Sequence, residues 1–130
     1  MIDQLRSLLE SDSRIAYALL FGSRARQRAH IHSDTAVAVG LTQGVELSVR
    51  EIGDLVSRLE AVAGGADDLV LLDEAPPGLA YRIFRDGRVV LERDRKALVE
   101  RKARAILEYL DFKPVEEMFT RAVLEAGRGG

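Results

Sequence analysis

The chain has 130 residues, of which 47% are hydrophobic and 31% charged, and a formal net charge of −2. A soluble globular protein of this size can build one hydrophobic core, and the small net charge excludes the broad basic surface of non-specific nucleic-acid binders, so no direct DNA binding is expected. The absence of cysteine excludes disulfides and thiolate metal sites. No apolar run approaches the roughly 20 residues of a membrane span, so a cytoplasmic protein without membrane contact is expected.

The first 93 residues alternate between helical and extended patterns. Apolar residues recur at helical spacing in some segments and form short continuous runs in others. Ser48 and Glu51 form a capping box, which fixes the start of the longest of these helices. The predicted elements, in chain order, are a helix at 2–9, a strand at 15–21, a strand at 35–41, a helix at 49–63, a strand at 68–72, a helix at 77–84 and an exposed strand at 88–92.

From residue 94 onward the sequence is charged and strongly helical. One face of this predicted helix carries four apolar residues: Val99, Ala103, Ile106 and Leu110. Pro114 is predicted to interrupt the helix before a second one. These stripes either pack on the domain's own sheet, which we favour, or reach a partner beyond Pro114. We therefore predict a single domain with a core at 1–93 and a helical extension at 94–130 that packs on the core or on a partner.

A Gly-Ser turn and an aspartate flank the gap between the first two predicted strands. Ten residues separate Ser23 from Asp34. Gly22 allows the backbone to approach a phosphate, and turn amides with the Ser23 hydroxyl can hold it. Asp34 offers a carboxylate to Mg²⁺, which prefers oxygen ligands. Residues two apart in a strand point the same way, so a second carboxylate would be needed at position 36, where this chain has Ala36.

This segment resembles the GS-x(10)-DxD signature of minimal nucleotidyltransferases of the DNA polymerase β superfamily, with the second acidic position lost. Asp68 begins a strand expected beside the strand of Asp34 and would be the third carboxylate, with Asp67 as the alternative one residue away. The segments at 67–94 and 109–114 are similar to MNT-type nucleotidyltransferases, the antitoxins of HEPN-domain ribonuclease toxins. The resemblance implies an α/β (α+β) nucleotidyltransferase fold, in which a small mixed sheet is flanked by helices and followed by a helical C-terminal tail.

The resemblance also implies an activity, a cofactor and a partner. Antitoxins of this family are similar in transferring AMP from ATP to a tyrosine of the HEPN toxin with Mg²⁺. Carried over, Gly22 and Ser23 would hold the triphosphate, Asp34 would bind metal, and Asp68 would bind metal and assist deprotonation of the tyrosine. Ala36 offers no oxygen, so the full metal pair should not assemble and catalysis should be severely impaired.

Two origins would explain Ala36, namely natural loss in an antitoxin that acts by binding alone or a change introduced from Asp. The sequence therefore leaves two main functions open. One is an enzyme-derived antitoxin that modifies its toxin, and the other is a non-catalytic antitoxin that neutralises the toxin by binding. A transferase acting on small molecules is a weaker alternative, because 130 residues leave little room for a second substrate-binding domain.

Overall fold

The computed structural model of the protein describes residues 2–22, 35–62 and 68–128. The elements in chain order are α1 (Ile2–Glu10), β1 (Ile15–Gly22), β2 (Thr35–Leu41), α2 (Val49–Ala61), β3 (Asp68–Leu71), a 3₁₀ turn at Leu72–Glu74, α3 (Pro77–Asp86), β4 (Arg88–Glu92) and α4 (Arg95–Arg128). Every strand and helix predicted in the first 93 residues is present, with ends within about two residues of the prediction; the 3₁₀ turn was not anticipated.

The four described strands form one mixed sheet in the order β3-β2-β1-β4. Strand β1 pairs antiparallel with both β2 and β4, and β2 pairs parallel with β3. The predicted proximity of the third strand to the second is thus confirmed. The predicted architecture, a small mixed sheet flanked by helices, is confirmed as well.

Each face of the sheet is covered by a pair of helices. Alternate strand residues point to opposite faces, so each strand contributes to both cores. On one face α1 and α2 pack through Leu5, Leu9, Leu55 and Leu59, all at most 2% exposed. On the other face α3 and α4 pack against the sheet through a second cluster: Tyr17, Leu19, Ala38, Leu72, Ile83, Leu98 and Ala105.

The start of α2 is fixed as the sequence indicates. The Ser48 side chain accepts a hydrogen bond from the Glu51 backbone at 3.1 Å, and the Glu51 carboxylate accepts one from the Ser48 backbone at 2.9 Å. This reciprocal pair satisfies two backbone donors that a helix start leaves unpaired. Because the Glu51 carboxylate also lies 2.8 Å from Nη1 of Arg14, the same residue ties α2 to the turn before β1.

Strand β4 is only partly exposed, contrary to prediction. Val90 and Leu91 are 3% and 7% exposed. The pairing of β1 with β4 shifts at a bulge that leaves Val90 without an opposite residue, and Nε of Arg6 donates to the Val90 carbonyl at 2.8 Å. Two neighbouring residues of β4 are therefore both buried, because the bulge changes the alternation of the strand.

Helix α4 is continuous, so the predicted interruption at Pro114 is wrong. The 34-residue helix runs through the proline. Proline removes one backbone donor and crowds the preceding turn, but the surrounding sequence is rich in Ala, Leu, Glu, Lys and Arg, which favour helix.

The face of α4 that contacts the domain also differs from the predicted stripe. Val99, Ile106 and Leu110 are 55%, 38% and 59% exposed. The buried residues are Leu98, Arg101 and Ala105 instead. Nη2 of Arg101 donates to the Leu72 carbonyl at 2.8 Å. A pattern based on apolar residues alone would place this arginine on the exposed face, so it does not identify the buried one.

Candidate active site

Three strands bring their candidate residues to one end of the sheet. Strand β1 ends at Gly22, β2 begins at Thr35, and β3 begins at Asp68. Because β1 and β2 are antiparallel and β2 and β3 are parallel, these three positions meet at the same end. We call this the candidate end of the sheet, and the opposite end, where β1 begins and β2 and β3 finish, the far end.

Ala36 and Asp68 are neighbours across the sheet. The register pairs Phe21 with Ala36, and Ala36 with Asp68, so the three form one row across β1, β2 and β3. Directly paired residues of neighbouring strands point to the same face. Ala36 is 9% exposed whereas the Asp68 side chain is exposed. A carboxylate at position 36 would therefore stand beside that of Asp68, and the methyl group of Ala36 offers no oxygen there.

Gly22 has a conformation that favours glycine. Its φ is 103°, in the region that side-chain-bearing residues rarely adopt. Gly22 is exposed at the end of β1 and has no side chain to cover its backbone. Ser23 and Asp34, the other predicted phosphate and metal residues, lie outside the described residues, as does Asp67.

A cleft between β1 and α3 opens next to the candidate end. It has a volume of about 440 Å³, which lies in the range of small-molecule sites, and Phe21, the first residue of the Ala36–Asp68 row, lines it together with Gly22. Helix α3 contributes Leu79, Arg82, Ile83, Arg85 and Asp86. The cleft thus combines apolar side chains from β1 and α3 with two guanidinium groups, next to the backbone of Gly22.

Arg82 and Arg85 are candidate site residues that the sequence reasoning missed. Nε of Arg82 donates to the Gly78 carbonyl at 3.3 Å, and Arg85 binds both carboxylate oxygens of Asp86 at 3.0 and 2.9 Å. The hydrogen bonds to Asp86 raise the pKa of Arg85, so this group stays charged at any pH of interest. Their spacing of three puts both on one side of α3. The predicted helix at 77–84 could have indicated Arg82, but it ended one residue before Arg85.

The described residues do not by themselves complete a metal site. No cluster of three His, Cys, Asp or Glu side chains suited to a metal occurs within 2–22, 35–62 and 68–128. Asp68 is the sole carboxylate of the Phe21–Ala36–Asp68 row. An exposed carboxylate oxygen suits Mg²⁺, so Asp68 fits the role of one ligand but needs a second carboxylate to join it.

A second cleft of about 540 Å³ lies at the far end of the sheet. Its lining includes Asp73 and Arg104, whose side chains approach to 3.3 Å, and the Asp94 carboxylate, which accepts a hydrogen bond from the Ala97 backbone. The acidic and basic groups of this cleft therefore bind one another or the helix start. Among the described residues, this cleft has neither a glycine of positive φ, like Gly22, nor a carboxylate without a bonding partner, like Asp68.

Among the described helices, none is long and apolar enough to cross a membrane. A search of curated protein sequences gave no match. Solved structures do match, and their similarity extends over nearly the whole chain.

The chain is similar to a chain of an MntA–HpeT toxin–antitoxin complex carrying two Asp-to-Glu substitutions, with 19% identity and a TM-score of 0.80 over 95% of this chain and 98% of that one. A toxin–antitoxin structure with AMP-PNP matches with the same identity, TM-score and coverage. A chain from the complex of a tri-AMPylated Shewanella oneidensis HEPN toxin with an MNT antitoxin matches at 18% identity and a TM-score of 0.68, over 95% of each chain.

These structural matches establish a nucleotidyltransferase fold like that of MntA, as the sequence resemblance implied. A family model described as "Polymerase beta, Nucleotidyltransferase" matches residues 3–96, which is most of the chain and contains every candidate site residue. The chain therefore belongs to the polymerase beta nucleotidyltransferase family.

Proposed function

We propose that this chain is the antitoxin of a HEPN/MNT toxin–antitoxin pair, built on a nucleotidyltransferase that transfers AMP from ATP to a tyrosine of its toxin. The observation that carries the proposal is the similarity over 95% of the chain to chains of toxin–antitoxin complexes, one of which contains a tri-AMPylated HEPN toxin. The family match supports the transferase ancestry independently of these structures.

The candidate end of the sheet supports specific roles for its residues. Gly22, with its positive φ, and Ser23 after it would hold the triphosphate. Asp34 and Asp68 would bind Mg²⁺, and Asp68 would also assist deprotonation of the acceptor tyrosine. The register favours Asp68 over Asp67, because Asp68 pairs with position 36 and so shares its face of the sheet. When bound, Mg²⁺ neutralises the charge that develops as pyrophosphate leaves.

Ala36 should severely impair this chemistry. The side chain at position 36 lies beside Asp68 in the sheet, at the place where the family's second carboxylate is expected. With two carboxylates in place of three, the chain can attract one metal ion but not hold a full pair. A second function follows from this same observation: the chain neutralises its toxin by binding alone.

Calorimetric titration with ATP and Mg²⁺ tests the enzyme-derived reading. We expect the wild-type chain to bind Mg·ATP weakly and the Ala36→Asp variant to bind at least about tenfold more tightly, because the added carboxylate completes the metal ligands. Ala36→Asp should also transfer AMP from radiolabelled ATP to the HEPN toxin of the proposed pair, which the wild type should do barely or not at all. Ala36→Asn, of similar size but uncharged, is the matched control.

The outcomes separate the two functions. If Ala36→Asp neither binds Mg·ATP nor modifies the toxin, the enzyme-derived function is wrong. Neutralisation of the toxin by the unmodified Ala36 chain would then establish the binding-only antitoxin. If the chain neither modifies nor neutralises the toxin, the antitoxin function itself is overturned.

A further inference from the structure

The buried stripe of α4 continues beyond the domain that it packs against. Leu98, Ala105, Phe112 and Phe119 follow one another at intervals of seven residues, so they lie along nearly the same line of the helix. Their exposed fractions are 8%, 0%, 37% and 70% in that order. The first two contact the sheet and α3, whereas the last has left the domain. A surface of the kind that α4 buries at its beginning is therefore uncovered at its end.

The last part of α4, residues 113–128, is called the arm here. Four large apolar side chains of the arm are exposed: Met118 is 70% exposed, Phe119 70%, Val123 65% and Leu124 60%. Phe119 and Val123, four residues apart, share a face and extend the buried stripe. Pro114 removes one backbone hydrogen bond where the arm joins the packed part of α4. The exposed apolar side chains of the arm favour its burial against another surface.

We propose that the arm docks onto the HEPN toxin, with Phe119 and Val123 at the centre of the contact. The proposal rests on the proposed function, which supplies the toxin as partner. The chains of toxin–antitoxin complexes that this chain resembles match 94–95% of it, and the unmatched remainder is shorter than the arm. The matched fold therefore includes part of the arm in proteins solved as toxin–antitoxin complexes.

The charges of the arm indicate what the toxin surface must offer. Its charges balance, with three basic residues (Lys113, Arg121 and Arg128) and three acidic ones (Glu116, Glu117 and Glu125), and Lys113 lies 4.0 Å from Glu117. With neither sign dominating, the arm has no strong field for a charged partner. The apolar stripe is thus the specific feature, and the toxin should present an apolar strip along which a helix can lie.

A second copy of this chain is the competing occupant, because stripes at seven-residue spacing also pair helices with one another. Such pairing ordinarily needs three or four repeats. In this chain only Phe112 and Phe119 supply large apolar residues at that spacing outside the packed part of α4, and the next position is Ala126. Two repeats favour a ready-made surface on a folded partner over a second arm.

The test compares a double variant of the arm with a matched control. Phe119→Glu/Val123→Glu places two charges on the stripe, and Val49→Glu makes the same change at a valine that is 88% exposed on α2. Binding to the HEPN toxin that forms the proposed pair with this chain is measured by calorimetry at 50 and 500 mM NaCl. We expect the double variant to bind at least about 100-fold more weakly and Val49→Glu to bind like the wild type. Wild-type affinity should change less than about threefold with salt.

Circular dichroism and light scattering complete the experiment. Thermal unfolding of the double variant should match that of the wild type, because Phe119 and Val123 are 70% and 65% exposed. If the double variant binds the toxin as tightly as the wild type, the docking proposal is wrong while the proposed function stands. If the wild type binds no toxin, the proposed function fails and the docking proposal with it. A wild-type dimer that the double variant converts to a monomer would assign the arm to a second copy and overturn the proposal.

Discussion

The candidate end and the far end of the sheet differ in how firmly their side chains are held. At the far end, Arg14 binds Asp12 at 2.7 Å and Glu51 at 2.8 Å, joining the turn before β1 to α2. Arg93 donates to the carbonyls of Ile15 and Glu10, which joins the chain after β4 to α1 and β1. At the candidate end, none of the described residues bonds to the side chain of Asp68.

The aromatic packing of the far end is equally tight. The Tyr17 ring lies across Gly40 of β2, where a Cβ atom would overlap the ring carbons. Burial, with a smaller contribution from the charge of Asp73, raises the pKa of Tyr17 to about 12. The two ends therefore differ in role. The far end holds the elements of the fold together, whereas the candidate end leaves the Asp68 carboxylate and the Gly22 backbone exposed.

Gly40→Ala should have the largest effect on stability, since it disrupts the packing of the far end. The added methyl group must displace the buried Tyr17 ring, and we expect the free energy of unfolding to fall by about 3 kcal/mol in urea denaturation. Gly53→Ala is the control, because nothing lies within 4 Å of a Cβ at that helical position. It should stabilise the protein by up to about 1 kcal/mol. An unfolding curve of Gly40→Ala that overlays the wild type would contradict the close packing.

Asp12→Asn should have the next largest effect on the free energy of unfolding, and the size of this effect should depend on pH. The side-chain hydrogen bonds from Arg14 lower the pKa of Asp12 below the ordinary value of 3.8. A lowered pKa in the folded state stabilises the protein above pH 3.8, and this contribution is lost as the pH falls through the folded-state value. We therefore expect the wild type to lose stability in acid more steeply than Asp12→Asn does.

Urea denaturation between pH 2 and pH 7 measures that difference. At neutral pH, Asp12→Asn should be about 1–2 kcal/mol less stable than the wild type, because charge-assisted hydrogen bonds to Arg14 are lost. Arg14→Ala should flatten the acid slope in a similar way, and the double variant should add little to either single change. Equal slopes in the wild type and Asp12→Asn would show that this network does not govern acid stability.

Asp68→Asn, at the candidate end of the sheet, should have the smallest effect on stability. The side chain is exposed, so the free energy of unfolding should change by less than about 0.5 kcal/mol. In the Ala36→Asp background, however, AMP transfer to the toxin should fall at least about 100-fold, because a metal ligand worth several kcal/mol in the transition state is lost. A large loss of stability together with unchanged transfer would assign Asp68 to the scaffold instead.

The sequence predicts the core of this fold well because each element carries its own local signal. Strands β1 and β2 are short apolar runs, and Ser48 with Glu51 marks the start of α2 at the residue where the structure has it. The helical tail was less predictable. Several faces of α4 carry apolar residues, and Arg101 lies on the buried one because it reaches the Leu72 carbonyl, a contact between residues far apart in the chain.

The candidate site was predictable to the extent that it follows strand order and alternation. The meeting of Gly22, Ala36 and Asp68 at one end follows from the topology. The motif indicated Gly22 and Ala36, and the expected strand order indicated Asp68, with Asp67 as the alternative. Arg82 and Arg85 were missed, because their place beside Gly22 depends on how α3 packs against β1. The roles of Ser23 and Asp34 remain predictions from the motif.

The bulge in β4 and the guanidinium of Arg6 affect the tendency of this protein to aggregate through its sheet edge. Strand β4 is an edge of the sheet, and an exposed edge is a template onto which a foreign strand can add. Here the register shifts at Val90, and the carbonyl of that residue is already occupied by Arg6. An incoming strand finds no regular row of donors and acceptors on this side, so misassembly through β4 during synthesis at high concentration is disfavoured.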